Sequence, residues 1–425
     1  MLHIPSMKGL TKHTDIQTLA DAPLLCVPLS QHIGAPAVAV VRCGDRVRQG
    51  QLIGQVAPGC SANVHAPVSG TVTAIGPITL AGGVSVTAVT IENDFRNLKA
   101  APIDDGLELS LPELISAAGI VGMGGAQFPT ALKYDMADRG RIKTLIVNGT
   151  ECEPYLTADY ALLASRTETV LRGAEALRDF MQMDEVVIVI EAQNRDLERC
   201  FSPYFHQEAY SHFRLQVLPD GYPQGGELQV IRFVVGIEVP RTQLPKSAGV
   251  VVNNVGTVCA VGQAVSEHRP LISRIITVSG ERAGHIGNFE VKIGTPVGHI
   301  LKQLGIEAGD AQLVMGGPMM GKSITDTSVP IVKGSSGILL LGDRAAHRYP
   351  CISCGYCVDV CPMHLMPFQF DALTRRGRYA TMADYGLMNC IECAACDYAC
   401  PSNIPLVQTI KAGKQFLKQS VHAHK

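Results

Sequence analysis

The sequence predicts an α/β core flanked by β-rich domains and followed by a small helical, cysteine-rich domain. The first 95 residues have short β-branched segments separated by glycine turns, and the middle of the chain alternates strand-like and helix-like patterns. The last part repeats one cysteine pattern twice. Since 425 residues are enough for several hydrophobic cores, we divide the chain into domains at 1–95, 96–265, 266–345 and 346–425.

Composition excludes several classes of function. The formal net charge is −2 and charged residues make up 17% of the chain, so no nucleic-acid partner is expected. The amino terminus has no charged stretch followed by an apolar core, and no signal peptide is expected. No apolar run approaches the roughly 18 residues of a membrane-spanning helix. Cysteines without a disulfide-like framework favour a reducing compartment.

The first domain contains a sequence pattern typical of β-hairpins with glycine at the turns. The pattern GDRV, GQLIG and APVSGTV between Gly44 and Val72 resembles the barrel-sandwich hybrid of lipoyl and biotinyl domains. Glycine permits the turns with positive φ, and β-branched residues favour the strands. The lysine that carries a prosthetic group in such domains is missing from this hairpin. We therefore expect a structural or docking role.

The alternation of helix-like and strand-like sequence patterns predicts the secondary structure of the second and third domains. A polar linker ends at Ser110, which is placed to cap a helix over 111–118. Further segments alternate, with a helix expected at 131–138, a strand at 144–147, a helical period over 159–183 and a strand at 185–190. This alternation indicates an α/β domain. Short strands between 272 and 305 resemble a β-grasp unit of the soluble-ligand-binding (SLBB) kind.

Two cysteine runs define the fourth domain. Each has the spacing C-x2-C-x2-C-x3-C-P, which is typical of ferredoxins with two [4Fe-4S] clusters, where the fourth cysteine of a run ligates the other cluster. One cluster is therefore assigned to Cys351, Cys354, Cys357 and Cys400, and the other to Cys390, Cys393, Cys396 and Cys361. Zinc is the alternative, but four sulfurs per ion do not account for a triplet followed by a fourth cysteine, twice.

A glycine-rich loop from Gly122 to Thr130 and an acidic strand end suggest a nucleotide or flavin site. The loop follows a helix, which excludes a Walker loop and a Rossmann fingerprint. Glycines let backbone N–H groups approach an anion or a flat ring. Lys133 is well placed for a phosphate, and Glu151 and Glu153 follow a strand end, where ligands gather in α/β sheets.

Six motifs in order resemble the C subunit of the Rnf electron-transport complex over essentially the whole chain. They are GMGGAQFPTALK, NGTECEPYLTAD, YPQGGE, VVNNVGT, GGPMMG and the twin cysteine runs. The middle segments are also similar to the flavoprotein subunit of respiratory complex I, which binds FMN and NADH. A cobalamin reductase of propanediol-utilising microcompartments is similar in layout.

The resemblance implies specific site residues. FMN contacts are implied at Gly122, Gly124, Gly125, Lys133 and Asn148, along the ring at Tyr222, Gly225 and Gly226, and at the phosphate and ribityl end at Asn253, Asn254 and Thr257. The residues implied to face the nicotinamide nucleotide are Phe128, Glu151, Glu153 and Glu227. Gln127 stands where the family usually has glycine, and Leu228 replaces a common lysine.

The implied function is electron exchange between NAD(H), FMN and two [4Fe-4S] clusters, because a flavin takes a hydride and releases single electrons. The chain would be a peripheral subunit at the cytoplasmic face of the inner membrane. Its partners would be membrane-embedded subunits and an iron–sulfur subunit of an ion-translocating NAD(H):ferredoxin oxidoreductase, with ferredoxin contacted indirectly. Two alternatives stay open, a cobalamin-reductase-like enzyme and a pure electron-transfer module with a degenerate flavin site.

Some side chains outside these motifs are expected at the surface. Lys8 is assigned to a surface strand and His65 to an exposed hairpin. The tail after Val407 is expected to be a basic amphipathic helix whose lysines are mostly solvated.

Overall fold

Short β-strands occupy the first 95 residues, as the glycine-spaced pattern predicts. This computed structural model describes residues 2–240, 243–342 and 347–423. The strands of the first domain are β1 (Ile16–Thr18), β2 (Leu24–Pro28), β3 (Val38–Ala39), β4 (Arg46–Val47), β5 (Leu52–Gln55), β6 (Val64–His65), β7 (Gly70–Thr79) and β8 (Ser85–Asn93). They form two antiparallel sheets with the orders β2-β8-β7-β4 and β3-β5-β6, and β1 lies outside both.

The middle of the chain is a parallel sheet with helices on both faces, which confirms the α/β prediction. Its strands are β9 (Thr144–Asn148), β10 (Glu185–Glu191), β11 (Phe213–Leu218) and β12 (Val250–Asn254), in the order β11-β10-β9-β12. Its helices are α1 (Leu111–Ala117), α2 (Ala158–Ser165), α3 (Thr167–Met181), α4 (Glu198–Phe205), α5 (Glu227–Val235) and α6 (Val255–Glu267). Alternate residues of β10 enter two different hydrophobic cores, so both faces of this strand are covered.

Local signals explain where the helices begin and end. Ser110 and Glu113 form the capping box that starts α1. The helical period over 159–183 is two helices, α2 and α3, separated by the non-helical Arg166. Helices α3 and α6 approach so closely that a Cβ atom on Gly173 would lie 2.1 Å from the Val258 carbonyl oxygen.

The prediction of one helix over 131–138 is wrong. The segment forms two short 3-10 turns, Thr130–Lys133 and Met136–Asp138. Between them the Asp135 carboxylate accepts a hydrogen bond from the Ala137 N–H at 2.9 Å. A side chain that bonds its own backbone in this way competes with helix continuation.

The third domain is a mixed sheet with one helix across it. Its elements are β13 (Ser273–Ser279), β14 (Gly287–Lys292), α7 (Val297–Gln303), β15 (Gln312–Met315), β16 (Lys322–Ser323) and β17 (Gly337–Leu341). The sheet order is β1-β14-β13-β17-β15-β16. Strand β1 thus joins this sheet, in parallel with β14, and the amino-terminal segment connects two domains.

The described part of the last domain contains the α-helices α8 (Tyr356–Asp359), α9 (Pro367–Arg375), α10 (Ala395–Ala399) and α11 (Leu406–Ala423), with 3-10 turns at Ala380–Ala383 and Leu387–Asn389. Helix α11 buries Leu406, Val407 and Ile410, which confirms an amphipathic helix. Its Lys414 is not solvated as expected, because the ammonium bonds the Cys390 carbonyl and the Glu392 carboxylate, each at 2.7 Å. None of the described helices is both long and apolar enough to cross a bilayer.

Candidate functional site

The expected site residues meet where the parallel sheet ends. Strands β9 and β12 are neighbours, and their last residues, Asn148 and Asn254, are register partners. Helix α6 begins directly after β12, so the backbone N–H groups of its first turn lie at the same edge. Ligands of open α/β sheets bind at this carboxyl edge, and the topology therefore brings together residues that are far apart in the sequence.

The glycine loop closes on itself and packs against α6. The Gly122 N–H donates to the Phe128 carbonyl at 2.8 Å, and the Met123 N–H donates to the Thr257 hydroxyl at 3.0 Å. Gly125 has a φ of 121°, which glycine adopts at little cost. Thr257, expected at the phosphate end of FMN, therefore also fixes the loop.

Asn254 links the glycine loop to a buried carboxyl group. Its Oδ1 accepts a hydrogen bond from the Gly256 N–H at 2.8 Å and caps α6. Its Nδ2 donates to Asp159 Oδ2 at 2.6 Å. A Cβ atom on Gly124 would lie 2.8 Å from the Asn254 Cβ, so a larger residue does not fit. Burial raises the pKa of Asp159, although the Arg274 guanidinium opposes the shift.

Lys133 and Asn253 lie at the same edge. The Lys133 ammonium donates to the Val252 carbonyl at 2.9 Å and is 3.8 Å from the Glu227 carboxylate. Burial lowers the pKa of Lys133, and Glu227 opposes this. Asn253 bonds the Tyr134 hydroxyl through Nδ2, while its buried Oδ1 has no hydrogen-bond partner in the described part of the chain. This oxygen is available to a bound polar group.

Glu151 points into the protein and orders the acidic strand end. Its carboxylate accepts hydrogen bonds from the backbone N–H groups of Asp159 at 3.2 Å and Tyr160 at 3.4 Å, at the start of α2. Burial raises the pKa of Glu151 to about 7 against the attraction of the Lys8 ammonium, and nearby Asp159 adds to the rise. The contacts of this carboxyl group are therefore structural.

Glu153 holds a loop of the third domain. Its carboxylate accepts hydrogen bonds from the backbone N–H groups of Met319 at 3.0 Å and Met320 at 2.8 Å. A Cβ atom on Gly317 would lie 2.1 Å from Glu153 Oε2, so the GGPMMG motif needs glycine at this point. Of the three expected glutamates, only Glu227 is largely open to solvent, with a side-chain exposure of 46%.

The segment from Tyr222 to Gly226 lies between the strand end and the cysteine domain. Asn148 Nδ2 donates to the Gly225 carbonyl at 3.0 Å. On the other side, the buried Tyr222 hydroxyl donates to the Cys393 carbonyl at 2.6 Å. A Cβ atom on Gly226 would lie 3.9 Å from Ile391, so both ends of the segment contact the second cysteine run.

The side chain of Gln127 rests on the third domain. Gln127 has a φ of 54°, which is the left-handed region expected at a position usually held by glycine. A Cβ atom on Gly334 would lie 1.8 Å from Gln127 Nε2. The glutamine therefore lies against the backbone of the loop before β17.

The cysteines assigned to the second cluster surround one small cavity. The residues that line it include Cys361, Cys390, Cys393 and Cys396. Burial raises the pKa of the Cys393 thiol to about 11, and the thiols of Cys390 and Cys361 add to the shift, as expected for sulfurs that lie close together. Cys361 thus lies with the first three cysteines of the second run, and its role as a ligand there stays a prediction.

The first three cysteines of the first run lie near the fourth cysteine of the second run, Cys400. Burial raises the pKa of the Cys357 thiol, and neighbouring Cys400, Cys354 and Cys351 contribute to the rise. Cys351 and Cys354 are exposed, whereas all three cysteines of the second triplet are buried. Among the described residues, no three His, Cys, Asp or Glu side chains converge as the ligands of a single metal ion do.

Comparison with known proteins places the chain. Residues 2–96 match the RnfC barrel sandwich hybrid domain, 115–263 the Nuo51 FMN-binding domain and 350–404 the 4Fe-4S dicluster domain. The C subunit of the ion-translocating oxidoreductase complex of Rhodobacter capsulatus is 38% identical over 98% of this chain and 82% of its own length. The chain belongs to the RnfC family. The corresponding C subunit of Pseudomonas aeruginosa is 41% identical over 98% of this chain, which spans 55% of that relative.

As a member of the RnfC family, the chain is an electron-transfer oxidoreductase subunit with an FMN-binding domain and an iron–sulfur domain. The predicted combination of an N-terminal barrel-sandwich hybrid, a flavoprotein-like α/β domain and a C-terminal ferredoxin-like domain is confirmed. The crystal structure of a NAD+-reducing [NiFe]-hydrogenase in the H2-reduced state shares the fold, with a TM-score of 0.50 and 18% identity over 71% of this chain and 62% of that one.

Sequence reasoning misplaced two side chains of this RnfC family member. Lys8 is 3% exposed and donates to the carbonyls of Glu151 and Leu156. His65 is 5% exposed, and burial, with the nearby Lys333 charge, lowers its pKa to about 3. No local sequence pattern marked either residue as buried.

Proposed function

We propose that this chain passes electrons between NAD(H) and two [4Fe-4S] clusters by way of FMN, as the peripheral subunit of a Rnf-type NAD(H):ferredoxin oxidoreductase. The observation that supports this best is the contact between the expected flavin segment and the cysteine domain. The Tyr222 hydroxyl bonds the Cys393 carbonyl at 2.6 Å. FMN bound along this segment would therefore lie only a short path from a cluster held by Cys393.

The residues at the sheet edge fit FMN. Lys133 and those first-turn N–H groups of α6 that Asn254 does not cap would hold its phosphate. The backbone of the glycine loop would lie along the flat ring, and the unpartnered Asn253 Oδ1 would accept a hydrogen bond. When bound, FMN supplies the conversion between a two-electron hydride and single electrons.

The open side of this edge fits the nicotinamide nucleotide. Glu227 would accept hydrogen bonds from its hydroxyl groups, and Phe128 would pack against its rings. Glu151 and Glu153 already accept two backbone hydrogen bonds each. Their part in nucleotide binding would be to shape the strand end and the loop around it.

The two cysteine sets differ in exposure, which suggests the order of transfer. The Cys390 set contacts the flavin segment through Cys393 and would exchange electrons with the flavin. The Cys351 set is partly exposed and would exchange electrons with partners. These partners would be membrane-embedded subunits and an iron–sulfur subunit of the complex. The chain would contact them at the cytoplasmic face of the inner membrane, and the electron flow would drive ion translocation by the complex.

A second candidate is an electron-transfer module without nucleotide chemistry. It is favoured by the side chain of Gln127, which fills space against Gly334 beside the glycine loop. No contact among the described residues specifically favours a cobalamin-reductase-like activity, and the two relatives named above are C subunits of ion-translocating oxidoreductase complexes.

An anaerobic titration with NADH tests the proposal. The purified full-length chain is assayed for FMN, titrated with NADH and followed by visible absorbance. Bleaching of the flavin band followed by loss of the broad cluster absorbance is expected. Bound flavin that NADH leaves oxidised would contradict the NAD(H) part, and a preparation that binds no flavin would favour the electron-transfer module.

A further inference from the structure

The amino-terminal segment runs along the flavin-binding domain before the first sheet begins. Leu2 forms a backbone bridge with Tyr222, beside the cysteine domain. The Ser6 carbonyl accepts a hydrogen bond from the Tyr155 N–H at 2.8 Å. Further along, the Thr11 hydroxyl contacts the Thr157 hydroxyl at 2.7 Å. The segment is therefore built into the acidic strand end although it belongs to no flavin-domain element.

Lys8 is the charged residue that this segment inserts. Its side chain is 3% exposed, and its ammonium donates to the backbone carbonyls of Glu151 and Leu156. These carbonyls lie on either side of the Glu153 turn. A buried ammonium is costly unless it is compensated by acceptors and opposite charges, so the compensation must come from its surroundings.

The surroundings supply several carboxyl groups. Lys8 attracts each of four buried acids, and its charge opposes the rise in pKa that burial causes in them: Glu151, Glu153, Asp159 and Glu191. Asp159 in turn bonds Asn254 at 2.6 Å, and Asn254 lies at the expected FMN site. Arg274 is a second buried cation that acts on Asp159 and Glu151, and it reaches the glycine loop through Met123.

We propose that Lys8 is a positioning residue that raises the reduction potential of the bound flavin, by balancing the acid cluster at the strand end. This inference rests on the proposed flavin function. Reduction adds electrons to a group beside several buried carboxyls, and like charges at low dielectric disfavour it. A buried lysine behind the cluster removes part of that penalty without contacting substrate.

Three variants of the full-length chain separate charge from structure. Lys8→Met removes the ammonium, and Glu191→Gln removes one negative charge while its shape is kept. Lys12→Met is the matched control, because Lys12 anchors the same segment to Asp196 at 2.9 Å but does not act on the four acids. For each variant, FMN content and the flavin reduction potential are measured under anaerobic conditions, together with KM for NADH.

We expect Lys8→Met to lower the equilibrium constant for two-electron flavin reduction roughly tenfold, a shift of about 30 mV. Glu191→Gln should raise that constant, and Lys12→Met should leave it unchanged. A fourth variant that combines Lys8→Met with Glu191→Gln should return towards the wild-type value. Such a shift in potential is not expected from loss of packing alone.

An unchanged potential in flavin-loaded Lys8→Met would overturn the inference, as would an equal drop in Lys12→Met. If Lys8→Met does not retain flavin, the test rests on Glu191→Gln. An unchanged flavin reduction potential in Glu191→Gln would then refute the proposed charge balance. A wild-type chain that binds FMN and is reduced by NADH, with no shift in any variant, would refute this inference alone. A wild-type chain without flavin would refute the proposed function as well.

Discussion

Replacing Glu153 by glutamine should release the GGPMMG loop. The carboxylate accepts hydrogen bonds from the Met319 and Met320 N–H groups at 3.0 and 2.8 Å. A glutamine retains one acceptor oxygen and turns an NH2 group towards the other N–H, so at least one bond is lost. A hydrogen bond to a charged group contributes about 1.5–3 kcal/mol, which corresponds to a factor of roughly 10–100 in the opening of the loop.

Hydrogen exchange measures this opening directly. The Met319 and Met320 amides should exchange about 10–100 times faster in Glu153→Gln. Gly317→Ala should act in the same direction, because the added Cβ would lie 2.1 Å from the carboxylate. Glu113→Gln is the control. The Glu113 carboxylate also accepts two hydrogen bonds, from Ser110 at the start of α1. Its replacement should leave the exchange rates of the Met319 and Met320 amides unchanged.

Unchanged exchange at both amides in Glu153→Gln would refute the assignment of Glu153 to the loop. A rise of more than about tenfold in KM for NADH, without a change in exchange, would instead assign Glu153 directly to the nucleotide. The two measurements therefore distinguish a residue that shapes the site from one that binds in it.

Three other changes have defined outcomes. Tyr222→Phe leaves the Cys393 carbonyl without its donor, so the cysteine domain should lose about 1–3 kcal/mol of stability, seen as faster hydrogen exchange there; unchanged exchange would contradict this. Burial raises the pKa of Glu151 from an unfolded value near 4.5 to about 7, so the free energy of unfolding should fall as pH rises from 5 to 8. Glu151→Gln should remove about 1–3 kcal/mol of that fall. A plot of Tm against pH that runs parallel for the variant and the wild type would contradict this. Burial lowers the pKa of His65 to about 3, so stability is lost as pH falls below 6.5, and His65→Gln should recover about 2 kcal/mol of the loss at pH 5 relative to pH 7.5, measured by Tm.

Features set by neighbouring residues could be predicted from the sequence. The cysteine spacing predicts that the two runs exchange their fourth ligands. In the structure Cys361 lines a cavity with Cys390, Cys393 and Cys396, and Cys400 lies near Cys357, while the ligand assignment itself stays a prediction. The capping box at Ser110 and the apolar run of β10 likewise depend on residues a few positions apart. The exception is 131–138, where the local bond made by Asp135 outweighs the helical pattern.

Contacts between distant segments could not be predicted. Lys8 reaches an acceptor 143 positions away, and Glu153 receives a donor 166 positions away. Neither partner leaves a trace in the residues next to it, so Lys8 resembled a surface lysine, and the contact of Glu153 with the GGPMMG loop had no signal in the sequence. His65 was misplaced for the same reason, because its burial depends on elements that join only in three dimensions.

The two cysteine loops are supported differently, and the difference bears on which cysteine set faces the flavin and which faces a partner protein. The Cys390–Cys393 loop is held from two sides, by the Tyr222 hydroxyl on the Cys393 carbonyl and by the Lys414 ammonium on the Cys390 carbonyl. In the other run, Ile352 is 66% exposed, between exposed Cys351 and Cys354. A rigid, buried site suits exchange with a fixed flavin, since little has to rearrange. An exposed apolar loop suits contact with another protein surface, so the exposed set is the one we expect to face the partner.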